Sequence, residues 1–236
     1  MVARVVTFDF GKTLAHWRAD PRRYFGVMCR LAGIQVSEAA ALAGAQATAR
    51  LWQTNPPPPS GTASAAWWRM HNLEGLRAAG MQGDLAALSD AMERADHAFP
   101  AGWVLDPDVP DVLDSLREKQ MRLAVVSNSD GTLNHRLESL GIAARFEYVA
   151  DSAIVGVRKP HPEIYLATCR ALGVAPEECV HVGDRPDADG VVALAVGATP
   201  VIYDPLECLN GEWLRVSRLR DLPSLIQSLH GRTTAF

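Results

Sequence analysis

The stretch Arg4-Val-Val-Thr-Phe-Asp-Phe-Gly-Lys-Thr-Leu14 (RVVTFDFGKTL) decides how the rest of the chain is read. Val5, Val6, Thr7 and Phe8 are β-branched or aromatic and predict a buried strand; the run breaks off at Asp9, and Gly11 permits a turn. A carboxylate at the carboxyl end of a buried strand sits where open α/β sheets bind ligands. Taken alone, Asp9 reads more readily as a turn former or helix cap. Its meaning depends on whether later strands repeat the arrangement.

They do. Beyond Trp103 the pattern alternates: helix over 111–119, strand over 123–126, helix over 133–140 ending at Gly141, and helix over 162–172 with Pro162 in its first turn and Gly173 past its end. A strand over 180–182, a helix over 191–196, a strand over 199–203 and a closing helix over 222–229 follow. Short apolar strands alternating with helices predict a Rossmann-like α/β fold, a parallel sheet with helices on both faces. The first strand must join that sheet, because alone it has no partner. Between the two parts lie helical patterns at 22–31, 37–51 with Ser37 as N-cap, 67–79 and 84–98, interrupted by NPPPPSG at 55–61, which no helix can cross. The expected organisation is a core of residues 1–17 and 101–236 and an all-helical insertion of about four helices over 18–100. Two chain crossings, near 15–20 and 98–104, predict that this insertion lies over the carboxyl edge of the sheet like a lid.

Composition narrows the function classes. At 236 residues and 48% hydrophobic, the chain is long enough for one good core and a smaller second unit. A net charge of −4 with interspersed signs offers no footprint for nucleic acid and no polybasic membrane patch. Cys29, Cys169, Cys179 and Cys208 form no CxxC pair and no Cys/His cluster, so neither a disulfide framework nor a zinc site is indicated. No signal peptide or membrane-length apolar run is recognised, and a cytoplasmic, soluble protein is expected. Oligomeric state is not legible. Only three lysines, Lys12, Lys119 and Lys159, stand among 23 basic residues, which draws attention to the two that fall inside motifs.

The polar residues at the strand ends can now be compared. AVVSNS places Ser127 and Asn128 past one buried strand; VHVGDRPDAD places Asp184 past another, with Asp187 and Asp189 close behind; VGVRKPHPEIY puts Lys159 in a loop before a helix. On a parallel sheet Asp9, Ser127, Lys159 and Asp184 converge on one edge. Carboxylates, a hydroxyl and an ammonium suit a hard divalent cation, magnesium by preference, together with an anionic oxygen ligand. Singly, each has an ordinary reading: Ser127 and Asn128 as a turn, Lys159 as a surface charge. Asp187 is read as a helix cap.

With those segments in order, the chain resembles the haloacid dehalogenase-like hydrolases, in the group with a helical cap (C1 type) inserted between the first and second motifs. DFGKT, Asp9 to Thr13, stands where the family has D-x-D-G-T; VVSNS, RKP and GDRPDAD supply the second, third and fourth motifs. The resemblance implies that Asp9 attacks phosphorus to form an aspartyl phosphate. It implies Mg2+ held by Asp9, the Gly11 main-chain carbonyl and Asp184, with Asp189 holding waters or the site. It implies further that Ser127 and the Asn128 main chain bind phosphoryl oxygens, that Lys159 keeps Asp9 ionised, and that Thr13 hydrogen-bonds near the nucleophile. The substrate would be a small phosphorylated metabolite.

One departure matters more than the matches. The family's phosphatases carry a second aspartate two positions after the nucleophile, acid for the leaving alcohol and base for the incoming water; here that position is Gly11. The glycine carbonyl can still face a metal, but no side chain moves a proton, a loss of roughly 10² to 10⁴ in rate. Three readings follow. The favoured one is a phosphatase whose missing acid comes from Lys12, His16, a cap residue or the substrate, or whose leaving group needs no proton, as in acyl or phenolic phosphates. The second is a binding or regulatory protein with poor turnover. The third, dehalogenation or phosphonate cleavage, is disfavoured: the acidic fourth motif is intact, and residues 18–104 contain no lysine for a Schiff base. Lys12 stands at the family's usual glycine position and is counted here among residues that could touch substrate. The insertion holds Trp52, Trp67 and Trp68, with Trp17 at its entrance; aromatic residues at helical spacing read first as bundle core and second as a lining for a ring-bearing leaving group. The run 56–59 is either a stiff loop near the site or a rigid connector.

Overall fold

Val5, Val6, Thr7 and Phe8 are all fully buried, as a strand covered on both faces must be. The computed structural model describes residues 3–55 and 64–231, so the proline run 56–59 lies outside the described residues. In chain order, β1 (Val5–Phe8) and β2 (Ala15–Trp17) precede α1 (Pro21–Leu31), α2 (Glu38–Thr54), α3 (Ala65–Ala78) and α4 (Leu85–Ala98). Then come β3 (Trp103–Leu105), α5 (Val109–Glu118), β4 (Arg122–Ser127), α6 (Leu133–Ser139), β5 (Tyr148–Asp151), α7 (Ser152–Val155) and α8 (Pro162–Leu172). The chain continues through β6 (Cys179–Gly183), a π-helical turn over Pro186–Gly190, α9 (Val191–Val196), β7 (Thr199–Tyr203), β8 (Arg215–Val216) and α10 (Leu222–Gly231).

Six strands form one sheet in the order β5-β4-β1-β6-β7-β8, every neighbouring pair parallel. Period-two alternation divides its side chains. Val6, Phe8, Leu123, Val125, Val180 and Val182 pack on one face with α5, α6 and α10, while Val5, Ala124, Val126 and Cys179 pack on the other with α8 and α9. The α/β class and the parallel sheet expected from the sequence are present. β5 and β8 were not anticipated, being too short to show a period. Nor was the antiparallel pair β2–β3, whose partners lie almost 90 residues apart and are joined by register rather than a hairpin turn.

By spatial proximity the chain divides into one unit of residues 1–17, 103–204 and 211–236, which contains the sheet, and another of residues 18–102 and 205–210. The second unit consists of α1 to α4 and the short segment Pro205–Asn210. Its helices start on side-chain caps: Asp20 for α1, Ser37 for α2, Ser64 for α3 and Asp84 for α4. Phe25 is buried in its core. A Cβ at Gly44 of α2 or Gly75 of α3 would stand 2.4 or 2.3 Å from the Phe25 ring, so two mid-helix glycines let three helices close on one aromatic. Trp52, Trp67, Trp68 and His71 form an edge-to-face and stacked cluster; Trp67 is buried, as the bundle-core reading expects, whereas Trp68 is 42% exposed. Among the described residues no helix is long and apolar enough to cross a membrane.

Candidate active site

Because β4, β1 and β6 are adjacent and parallel, with Phe8 level with Val125 and Val182, the residues at and just beyond their carboxyl ends emerge at one edge. Those residues are Asp9, Ser127 with Asn128, and Asp184. Asp9 Oδ1 accepts hydrogen bonds from Ser127 Oγ at 3.0 Å and from Lys159 Nζ at 2.7 Å, which fixes the orientation of the carboxylate. The Lys159 ammonium, 4% exposed, also donates to the Val126 carbonyl at 2.6 Å and to Asp189 Oδ1 at 2.5 Å. A buried ammonium with three acceptors is satisfied. Asn128 holds the lysine's backbone: its Nδ2 donates to Lys159 O at 3.0 Å, and Lys159 N donates to its Oδ1 at 2.8 Å. The Asn128 side chain is therefore occupied in holding the Lys159 backbone.

Asp189 is gripped from several sides. Its Oδ2 accepts from Arg185 N at 2.9 Å, and its Oδ1 lies 3.4 Å from His181 Nε2. His181 Nδ1 is 2.9 Å from Thr7 Oγ1, which is 2.8 Å from the Tyr165 hydroxyl, so a buried polar chain runs from the middle of the sheet through Asp189 to Lys159. Gly183 makes this possible. A Cβ there would stand 2.2 Å from the Asp189 carboxyl carbon, closer than non-bonded atoms come.

Other expected residues lie elsewhere in the turn. Lys12 adopts φ +63°, the left-handed region that an L side chain enters at a cost of about 1 to 2 kcal/mol, which explains why glycine suits this position. Its charge acts on Asp184, pulling that carboxyl downward. Thr13 is fully buried and its hydroxyl has no hydrogen-bond partner among the described residues, so the bond expected of Thr13 near Asp9 is not formed there. Gly11 lies beside Trp103, and a Cβ added to it would meet Trp103 Cη2 at 3.6 Å, an ordinary contact. Asp187 does not cap a helix as expected; it is paired with the Arg185 guanidinium.

The charge balance is uneven. Asp9, Asp184 and Asp189 offer carboxylate oxygens that all lie within 4.8 Å of one another. Burial raises the Asp9 carboxyl even with Lys159 pulling it down, and burial with repulsion from Asp9 and Asp189 pushes Asp184 up to about 7. Asp189 goes the other way: against the cost of burial, the Lys159 ammonium and His181 hold it well below the usual carboxylate range. Lys159 is raised, its two carboxylate partners outweighing burial. Three clustered carboxylates facing one buried ammonium are short of positive charge, and an all-oxygen donor set suits a hard divalent cation. The residues present fit a metal ion.

Sequence reading missed His181, Trp103 and the Arg185 main chain. For His181 a signal existed: with Val180 and Val182 committed to one face, a histidine between them is forced into the other face of a sheet buried on both sides. Such a residue needs a polar partner.

Comparison with known proteins matches the geometry. The family model for haloacid dehalogenase-like hydrolases covers residues 3–197. Human haloacid dehalogenase-like hydrolase domain-containing protein 3 is 30% identical over 199 residues, 82% of this chain and 79% of that protein. Glyceraldehyde 3-phosphate phosphatase of Methanopyrus kandleri is 43% identical over 132 residues, 52% of this chain and 57% of that protein. The magnesium-bound structure of YfnB from Bacillus subtilis superposes with a TM-score of 0.57 at 19% identity, covering 96% of this chain and 99% of that one. A model match over most of the chain, four motifs in order and a shared sheet leave one assignment: the protein belongs to the haloacid dehalogenase-like hydrolases.

Proposed function

We propose that the protein is a phosphatase of a small phosphorylated metabolite, working through an aspartyl phosphate on Asp9, with residues 18–100 as the cap that selects substrate. The observation that carries this reading is the Asp9 carboxylate, oriented by Ser127 and Lys159 beside two further carboxylates within ligand range. Asp9, the Gly11 carbonyl and Asp184 would hold magnesium, with Asp189 behind them; when bound, the ion offsets phosphoryl charge and favours in-line geometry. Ser127 Oγ and the Asn128 main chain bind phosphoryl oxygens. Lys159 keeps Asp9 anionic before attack and stabilises charge on the phosphoryl group during it. Phosphatase relatives and a magnesium-bound fold relative support the class and the ion.

The competing reading, a phosphate-binding protein with negligible turnover, draws on Gly11. A panel of phosphorylated metabolites and acyl phosphates, assayed with and without magnesium, separates the two. Phosphate release from any member at rates well above background supports the enzyme; binding without release supports the alternative.

Two further outcomes are expected. At about 100-fold excess over its dissociation constant, magnesium should stabilise the fold by roughly 2.7 kcal/mol, a rise of about 5 to 10 °C in melting temperature. Gly183→Ala, which displaces Asp189, should remove most of that rise, and an undiminished response would place the cation elsewhere. Lys12→Gly should relieve left-handed strain, stabilising the protein by about 1 kcal/mol, while weakening phosphate binding. If Lys12→Gly left phosphate affinity unchanged, Lys12 would have no part in the site.

A further inference from the structure

Gly11 leaves one side of the nucleophile's turn without a side chain, and an indole borders the space. The atoms nearest a Cβ at Gly11 are Cη2 at 3.6 Å and Cζ3 at 4.0 Å of Trp103, the benzo edge of that ring. The ring is held in place on several sides. β2–β3 pairing sets Trp103 opposite Trp17, their rings edge-to-face at 5.4 Å, and Phe10 packs against it at 4.9 Å. The Arg136 guanidinium lies 5.4 Å over the ring and is itself fixed by Asp130 at 2.7 Å, in the loop after Ser127 and Asn128. Trp17 is 50% exposed, so apolar surface continues outward from Trp103.

We propose that Trp103, extended by Trp17, forms an apolar wall for the leaving group, and that the substrates are phosphomonoesters whose leaving group is planar, aromatic and able to depart unprotonated. This rests on the phosphatase reading above and names its substrate class. Two independent requirements coincide at this spot. With no acid at position 11, the departing oxygen must leave as an unprotonated anion, which an aryloxide tolerates and an alkoxide does not. A ring placed there meets C–H edges and an aromatic neighbour, a contact that improves affinity about three- to tenfold over an alkyl group. In the first step an Asp9 oxygen bonds to phosphorus as the aryloxide leaves. In the second, water attacks phosphorus, the aspartyl–phosphorus bond breaks, Asp9 is regenerated, and inorganic phosphate and one proton are released to solvent.

The test uses non-hydrolysable ligands on the full chain with magnesium present: benzylphosphonate, propylphosphonate and inorganic phosphate, titrated by calorimetry. The wild type should prefer benzylphosphonate to propylphosphonate by about three- to tenfold. Trp103→Ala should reduce that preference to under twofold with inorganic phosphate affinity unchanged, and Trp103→Phe should keep most of it. A preference that survives Trp103→Ala, its absence in the wild type, or an equal loss of inorganic phosphate binding in Trp103→Ala overturns the wall while leaving the phosphatase reading intact. Failure of the wild type to bind any of the three overturns both.

Discussion

Asp9→Asn is expected to abolish magnesium-dependent hydrolysis of p-nitrophenyl phosphate, with kcat falling by about 10⁴ or more, the scale on which loss of a nucleophile is felt. The amide keeps an oxygen for Lys159 Nζ and Ser127 Oγ, so geometry is largely retained. Stability should not follow activity. Burial raises the Asp9 carboxyl above its ordinary value, so ionising it costs the native state; a neutral isostere removes that cost. The melting temperature of Asp9→Asn should equal or exceed that of the wild type. Calorimetry beside a steady-state assay checks both. Hydrolysis persisting in the folded variant would falsify the assignment of the nucleophile.

Gly11→Asp is expected to raise turnover of alkyl phosphates such as ethyl phosphate by roughly 10² to 10⁴, and of p-nitrophenyl phosphate by less. The substitution is sterically open, its Cβ at ordinary contact distance from Trp103 and its backbone free of any left-handed requirement. The gain divides between two steps. An alkoxide needs the proton to leave and the aspartyl phosphate needs a base to activate water; nitrophenolate needs only the second. In the wild type, nitrophenyl release should therefore outrun hydrolysis of the aspartyl phosphate. Stopped-flow traces should show a burst of about one nitrophenolate per protein, diminished in Gly11→Asp. An equal gain on both substrates, or none, would show that the missing acid does not limit the reaction.

Local order carried the fold class and most of its elements. Alternation of apolar strands with helices specified a parallel α/β sheet, because side-chain period is a property of neighbouring residues. A run such as VVTFD specified a strand ending on a carboxylate, and Ser37 and Gly173 marked a helix start and a helix end in place. The adjacency of Asp9, Ser127, Lys159 and Asp184 was legible because parallel strands bring like ends to one edge. Tertiary structure decided the rest. The Lys159 bridge between Asp9 and Asp189, the Asn128 clamp on the Lys159 backbone, and the partnerless Thr13 hydroxyl depend on distances between residues up to 150 positions apart. So do the β2–β3 pairing and the Trp103 edge beside Gly11. No local pattern encodes such meetings: they arise when the sheet closes, and close packing then leaves one arrangement for the buried charges to satisfy.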